Sequence, residues 1–213
     1  MKLWSDSFRD GEAIPSEFAF ARVDAKHRVA LAANRNPHLA WWDVPEGTRS
    51  IVVICHDFDA PSVPDDVNHP DREVPTRLAR VDFFHWVLVD LPPSLASIAA
   101  GAFSNQVVPK GKGGPETLHG ARHGLNDYTA WFASDHDMAG DYYGYDGPCP
   151  PWNDALIHRY QFAVHALDLE RLPVEGRFTG VQALAAMQGH VLARATVSGT
   201  YSLNQRLVGP AVA

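Results

Sequence analysis

Three segments confine this chain to a mainly β fold: SIVVICHD (Ser50–Asp57), FFHWVLVDLP (Phe83–Pro92) and HRYQFAVHALD (His158–Asp168). Each is a short run of β-branched and aromatic residues bounded by turn formers, the pattern of a strand with at least one buried face. In the second, a period of two puts His85, Val87, Val89 and Leu91 on one face, with Trp86 and Leu88 opposite. HLAWWDVP (His38–Pro45) reads as a further strand that exits at its proline. VLARATVSG and TYSL (Val191–Leu203) read as two halves of a last strand, bulged at Gly199. The helix signal is TGVQALAAMQGH (Thr179–His190), with Thr179 as cap, an alanine-rich interior and Gly189 as stop. Strands followed by one late helix give a mostly antiparallel architecture.

At 213 residues the chain suits a single domain, residues 1–213, able to bury a core without disulfides. Cys55 and Cys149 are expected to be free thiols of a reducing compartment, which places the protein in the cytoplasm. The opening MKLWSDSFRDGEAIP has no continuous apolar stretch, and no later run approaches a membrane span. A net charge of −7 argues against a general nucleic-acid binder. Long polar segments near residues 62–80 and 110–142 interrupt the strand pattern, and loops of that length in a compact domain usually serve a site.

The strands carry polar groups at matching places. Asp57 and Asp59 end the first, His85 lies near the start of the second, and His158 and Tyr160 open the third. In antiparallel neighbours the end of one strand lies beside the start of the next, so these side chains could line one pocket at one rim. Asp57 and Asp59 share a side if the chain is still extended there, although Asp59 could instead cap the turn before Pro61. His56 points away from Asp57, Arg159 faces opposite to its neighbours as an ion-pair partner, and His165 reads as a core histidine. GYDGPCPP (Gly144–Pro151), just ahead of His158, makes a stiff loop whose few free N–H groups can point at an anion. Two histidines and a tyrosine can donate hydrogen bonds to anion oxygens, with Asp57 orienting one imidazole and favouring its cation. Such a site would lose anion affinity as pH rises from about 6 to 8. The same cluster could serve a hydrolase or a metal-dependent enzyme, but the sequence has no H-E-x-x-H pair and no evident nucleophile. No catalytic residue, metal or cofactor is assigned.

DFDAPS, HWVLVDLP, GPCPP and HRYQFAVHALDLERL, in this order, resemble the phosphatidylethanolamine-binding protein family. The likeness is strongest to its bacterial, Raf-kinase-inhibitor-like branch, through the lead-in NPHLAWWDVPEGTRS and the tail LAAMQGHVLARATVSGTYSL. The resemblance covers nearly the whole chain. It implies two antiparallel sheets with Greek-key connections, short flanking helices, and a small anion pocket at one end of the central sheet. By motif, Asp57 and Asp59 match the aspartates of D-x-D-A-P, and His85 matches the pocket histidine before the apolar strand. His158 and Tyr160 match H-R-Y, and Gly147, Pro148, Pro150 and Pro151 match G-P-x-P-P. The implied role is non-enzymatic: binding a phosphate-like or carboxylate-like group, such as a phosphoethanolamine head group, and modulating a kinase or protease. A homodimer through an exposed sheet or apolar rim is a further expectation. Phe58 stands where the family has proline, Asn153 where it has glycine, and residues 62–80 and 129–142 lengthen its loops.

Overall fold

The computed structural model describes residues 1–209. Its strands are β1 (Lys2–Trp4), β2 (Ala21–Asp24), β3 (Arg28–Leu31), β4 (Leu39–Trp42), β5 (Ser50–Pro61), β6 (Arg80–Leu91), β7 (Ser97–Ile98), β8 (Arg122–His123), β9 (His158–Leu167) and β10 (Val191–Tyr201). Three short helices accompany them: α1 (Tyr128–Trp131), α2 (Gly180–Ala186) and α3 (Gln205–Val208). The strands form a five-stranded sheet in the order β10-β9-β5-β6-β8, a three-stranded sheet β1-β4-β7, and the hairpin β2-β3. All of these pairings are antiparallel. Within the larger sheet β9 returns beside β5, giving the Greek-key order of a fourth strand next to the first.

The central strand β5 is apolar at nearly every position because both faces of its sheet are covered. Ile51, Val53 and Cys55 pack with Trp86, Leu88, Phe162 and Val164 and, through Leu39 and Trp41, against the three-stranded sheet. On the other face Val52, Ile54, Val87 and Val89 lie under Phe178, Ala183 of α2 and Met187 just past its end. Helix α2 begins as expected, with a reciprocal capping box between Thr179 and Gln182. It stops at Ala186, earlier than the apolar pattern suggested, before Gly189 turns the chain at φ +82°.

Period-two reasoning fails in β6. Cys55 pairs with Trp86 and His56 with Phe84, which leaves His85 as the extra residue of a β-bulge. A second shift lies between the pairs Val53–Leu88 and Ile51–Leu91. His85 therefore joins Trp86, Leu88 and Leu91 on one side of the sheet, while Val87 and Val89 occupy the other. In β10 the bulge expected at Gly199 is absent. Gly199 pairs in register with Tyr160, and the irregularity falls between Val191 and Ala193. Glycine is required at 199 for a packing reason, since a Cβ there would lie 2.4 Å from Cγ1 of Ile14.

Segment 62–80 is fastened by Asn153. Its side-chain amide donates to the carbonyls of Asp66 (2.8 Å), His69 (3.2 Å) and Arg72 (2.8 Å), and its oxygen accepts from the Asn68 N–H (2.9 Å). Asn153 does not adopt the left-handed backbone that glycine would favour, so the asparagine serves its side chain rather than a turn. Replacing Asn153 with alanine removes these four part-buried hydrogen bonds, each worth about 0.5–1.5 kcal/mol. N153A is expected to show faster hydrogen exchange and proteolysis within residues 62–80 while the central strands stay protected.

Candidate functional site

A cavity of about 400 Å³ opens at one rim of the five-stranded sheet, and Asp57, His85, His158 and Tyr160 line it together with Pro150 and Pro151. Strand register explains the meeting. Asp57 of β5 pairs with Phe83 of β6 on one side and Tyr160 of β9 on the other. His158 lies two residues before Tyr160 on the same face, and the bulge turns His85 toward them, 5.2 Å from the Tyr160 ring.

His158 is held between two carboxylates. Its Nδ1 lies 2.6 Å from Asp57 Oδ2 and its Nε2 lies 3.0 Å from Asp154 Oδ2. Asp154 in turn receives both arms of Arg80, at 2.5 and 3.0 Å. Burial alone would lower the pKa of His158, but the bonds to Asp154 and Asp57 outweigh it and raise the value to about 9. The ring is therefore a cation at neutral pH, with both N–H groups taken. Asp57, His158, Asp154 and Arg80 form a buried row of alternating charge with no net charge.

His85 behaves differently. Burial lowers its pKa to about 4, against a smaller opposing pull from Asp57. Its Nδ1 lies 2.7 Å from the carbonyl oxygen of Asp146, so the neutral ring donates from Nδ1 and keeps Nε2 as an acceptor. Tyr160 is fully buried and its hydroxyl makes no hydrogen bond of normal geometry; burial, together with the nearby Asp57 carboxylate, holds it protonated. The cavity wall thus offers one unused donor, on Tyr160, and one imidazole acceptor, on His85.

Three of the residues picked from sequence lie off the cavity wall. An extra residue in β5 between the pairs Asp57–Phe83 and Ala60–Val81 rotates Asp59 away from Asp57. Its backbone N–H donates to Asp57 Oδ1 (2.7 Å), and its carboxylate receives Nε and Nη2 of Arg159, both at 2.8 Å. Gly147 donates its N–H to Asn34 Oδ1 (2.8 Å) rather than offering it to a ligand. A Cβ on Gly147 would meet the Phe18 carbonyl at 2.2 Å, so this glycine permits close backbone packing. The Pro148 carbonyl accepts from Phe20 N–H (3.0 Å), stitching the loop to the segment before β2. His56 lies on the far face against Phe58 and Phe84, as its parity predicts.

Sequence reasoning did not find Asp154, Arg80 or the group that anchors the proline loop. There Asp146 receives Lys112 Nζ (2.6 Å), Asn34 Nδ2 (2.7 Å) and Asn126 Nδ2 (2.9 Å), and its own carbonyl fixes the tautomer of His85. An acid four residues before His158 was the one local hint of Asp154.

The His158 network makes stability depend on pH in a defined direction. A group whose folded pKa is raised stabilises fully below its unfolded value, about 6.5 for histidine, and loses that contribution as pH rises through the folded value. Unfolding free energy, measured by urea melts, is expected to fall between about pH 6.5 and 9. His158→Gln should be less stable throughout and lack this slope. A wild-type profile that is flat over the interval would contradict the assignment.

A family model described as phosphatidylethanolamine-binding protein matches residues 4–202. The UPF0098 protein YbhB of Escherichia coli (strain K12) is 32% identical over 202 residues, covering 95% of this chain and 100% of that one. A UPF0098 protein of Aquifex aeolicus is 31% identical over 201 residues, covering 94% and 88%. Among solved structures, Escherichia coli YbcL, described as a new member of the mammalian PEBP family, superposes with a TM-score of 0.64 at 25% identity, covering 94% of this chain and 97% of that one. CT736 of Chlamydia trachomatis, described as a phosphatidylethanolamine-binding protein homolog, gives 0.63 at 28% identity, covering 94% and 96%. Sequence and fold agree over almost the full length, and the chain belongs to the phosphatidylethanolamine-binding protein family.

Proposed function

We propose that this protein binds a small ligand without turning it over, and that the ligand presents a phosphate-like or carboxylate-like oxygen to the hydroxyl of Tyr160. The unpaired Tyr160 hydroxyl carries this reading. A buried polar group without a partner is destabilising by about 1–3 kcal/mol, which a ligand oxygen would relieve. His85 Nε2 beside it suits a ligand hydroxyl or a P–OH, so the monoanion of a phosphate monoester such as free phosphoethanolamine satisfies both groups. Binding would alter the rim that a kinase or protease partner could read. The two cysteines, both free, support a reducing, cytoplasmic setting. Metal-dependent hydrolysis has less support: with both nitrogens of His158 and one of His85 engaged, one imidazole nitrogen is left for the cavity, where a catalytic zinc takes three protein ligands. No helix among the described residues is long and apolar enough to cross a membrane.

The geometry changes the pH behaviour expected from sequence. With His85 neutral above about pH 4 and the N–H groups of His158 occupied, no imidazolium donor faces the ligand. Affinity for phosphate monoesters should fall above their own second pKa, about 6, whereas affinity for acetate should stay level from pH 6 to 8. A parallel fall for both in calorimetric titration would restore a titrating histidine and overturn this mechanism.

Tyr160→Phe removes the hydroxyl and little else. It is expected to weaken inorganic phosphate by about 0.5–1.5 kcal/mol, roughly two- to tenfold, with no loss of folding stability. Unchanged affinity in the same titration would sink the assignment.

A further inference from the structure

We infer that the two lengthened segments turn the rim pocket into a site for a single-chain amphiphile: a compact oxygen-bearing head at Tyr160 and His85, and an alkyl or aryl body in an apolar chamber in front of them. This rests on the head-group reading above and adds the chemistry of the rest of the ligand.

The chamber is built by the segments that make the chain long for its family resemblance. Residues 62–80 contribute Val67, and residues 110–142 contribute Trp131, Phe132 and Met138 to the same cavity wall as Tyr160. These side chains are held in place. Phe132 stacks on Tyr128 (centroids 5.5 Å, 14°), which stacks on Phe20 (4.7 Å, 18°). The Asp127 carboxylate accepts the Phe84 N–H (2.7 Å), tying α1 to β6, and the Tyr142 hydroxyl donates to the Met138 carbonyl (2.8 Å). Asn153 fastens the opposite wall.

The mouth is apolar as well. Leu31, Val81 and Trp131 all line the cavity and are 60%, 47% and 47% exposed. Large apolar side chains gathered in water around one opening mark a binding surface more than a packing remnant. Behind them the polar floor has no net charge to match a highly charged ligand, because the His158 row is internally neutral and His85 is uncharged. A volume of about 400 Å³ lies near the lower end of small-molecule sites, which run from about 300 to 1,000 Å³. It suits one chain or one ring system rather than the two chains of a phospholipid.

The test is a calorimetric series of straight-chain carboxylates from acetate to decanoate, with inorganic phosphate as the head-only probe. Each buried methylene should tighten binding about fourfold, from about 0.8 kcal/mol per methylene, until the chamber is full. Trp131→Ala, at an exposed position, should flatten the gain for the longer members and leave acetate and phosphate unchanged. Tyr160→Phe should weaken every member by a similar factor. If phosphate binds and decanoate is no tighter than acetate, the chamber is refuted and the head-group reading stands. A chain-length gain that is indifferent to Tyr160→Phe supports the chamber and refutes the head-group reading. No binding by any member refutes both. Co-sedimentation with phosphatidylethanolamine vesicles in preference to decanoate would overturn the single-chain ligand.

Discussion

The imidazolium of His158, clamped between Asp57 and Asp154, is the contact on which the rim of this molecule depends. It joins the end of β5 to the start of β9 and to the loop that precedes it, and Arg80 extends the row to the start of β6. Charges buried this deeply are stable only when each is paired and hydrogen-bonded, so loss of one partner leaves the others stranded at a cost of about 3–5 kcal/mol. The arrangement also separates paired from unpaired groups: the cation organises the floor of the cavity, and the groups left without a full set of partners there are the neutral ones, Tyr160 and His85.

Much of this was readable from the chain itself. Apolar runs located β5, β6 and β9, and antiparallel pairing was enough to bring Asp57, His85, His158 and Tyr160 to one rim. What escaped was non-local or non-periodic. Asp59 was placed beside Asp57 by assuming an extended chain, and one extra residue sent it to Arg159 instead. His85 reached the correct cavity through a bulge, although alternation had grouped it with Val87 and Val89. A bulge is set by pairing between strands and leaves no mark in the composition of either. Asp154 and Asp146 sit in irregular segments, where no period ranks one carboxylate above another. Hairpin β2-β3 went unnoticed because its strands are only four residues long and each includes a charged residue.

The proline loop shows how a motif can be correctly located and differently used. Its glycine and first proline do not face the cavity. They lock the loop against the backbone near Phe18 and Phe20, with Asp146 as the knot, while Pro150 and Pro151 supply the wall. The loop's contribution to the site is stiffness and shape. A related logic holds for Asn153, whose side chain fastens residues 62–80 to the loop ahead of β9.

The bulge at His85 makes this site depend on residue count as much as on residue type. Side chains around the cavity can change one at a time while the strands keep their register. Removing or adding one residue between Phe83 and Trp86 would reverse which neighbours face inward, exchanging Trp86 in the core for a position beneath α2. Lineages carrying this fold should therefore explore new ligands by substitution at the floor and by lengthening the loops at the mouth. The strand between them has little freedom to change length.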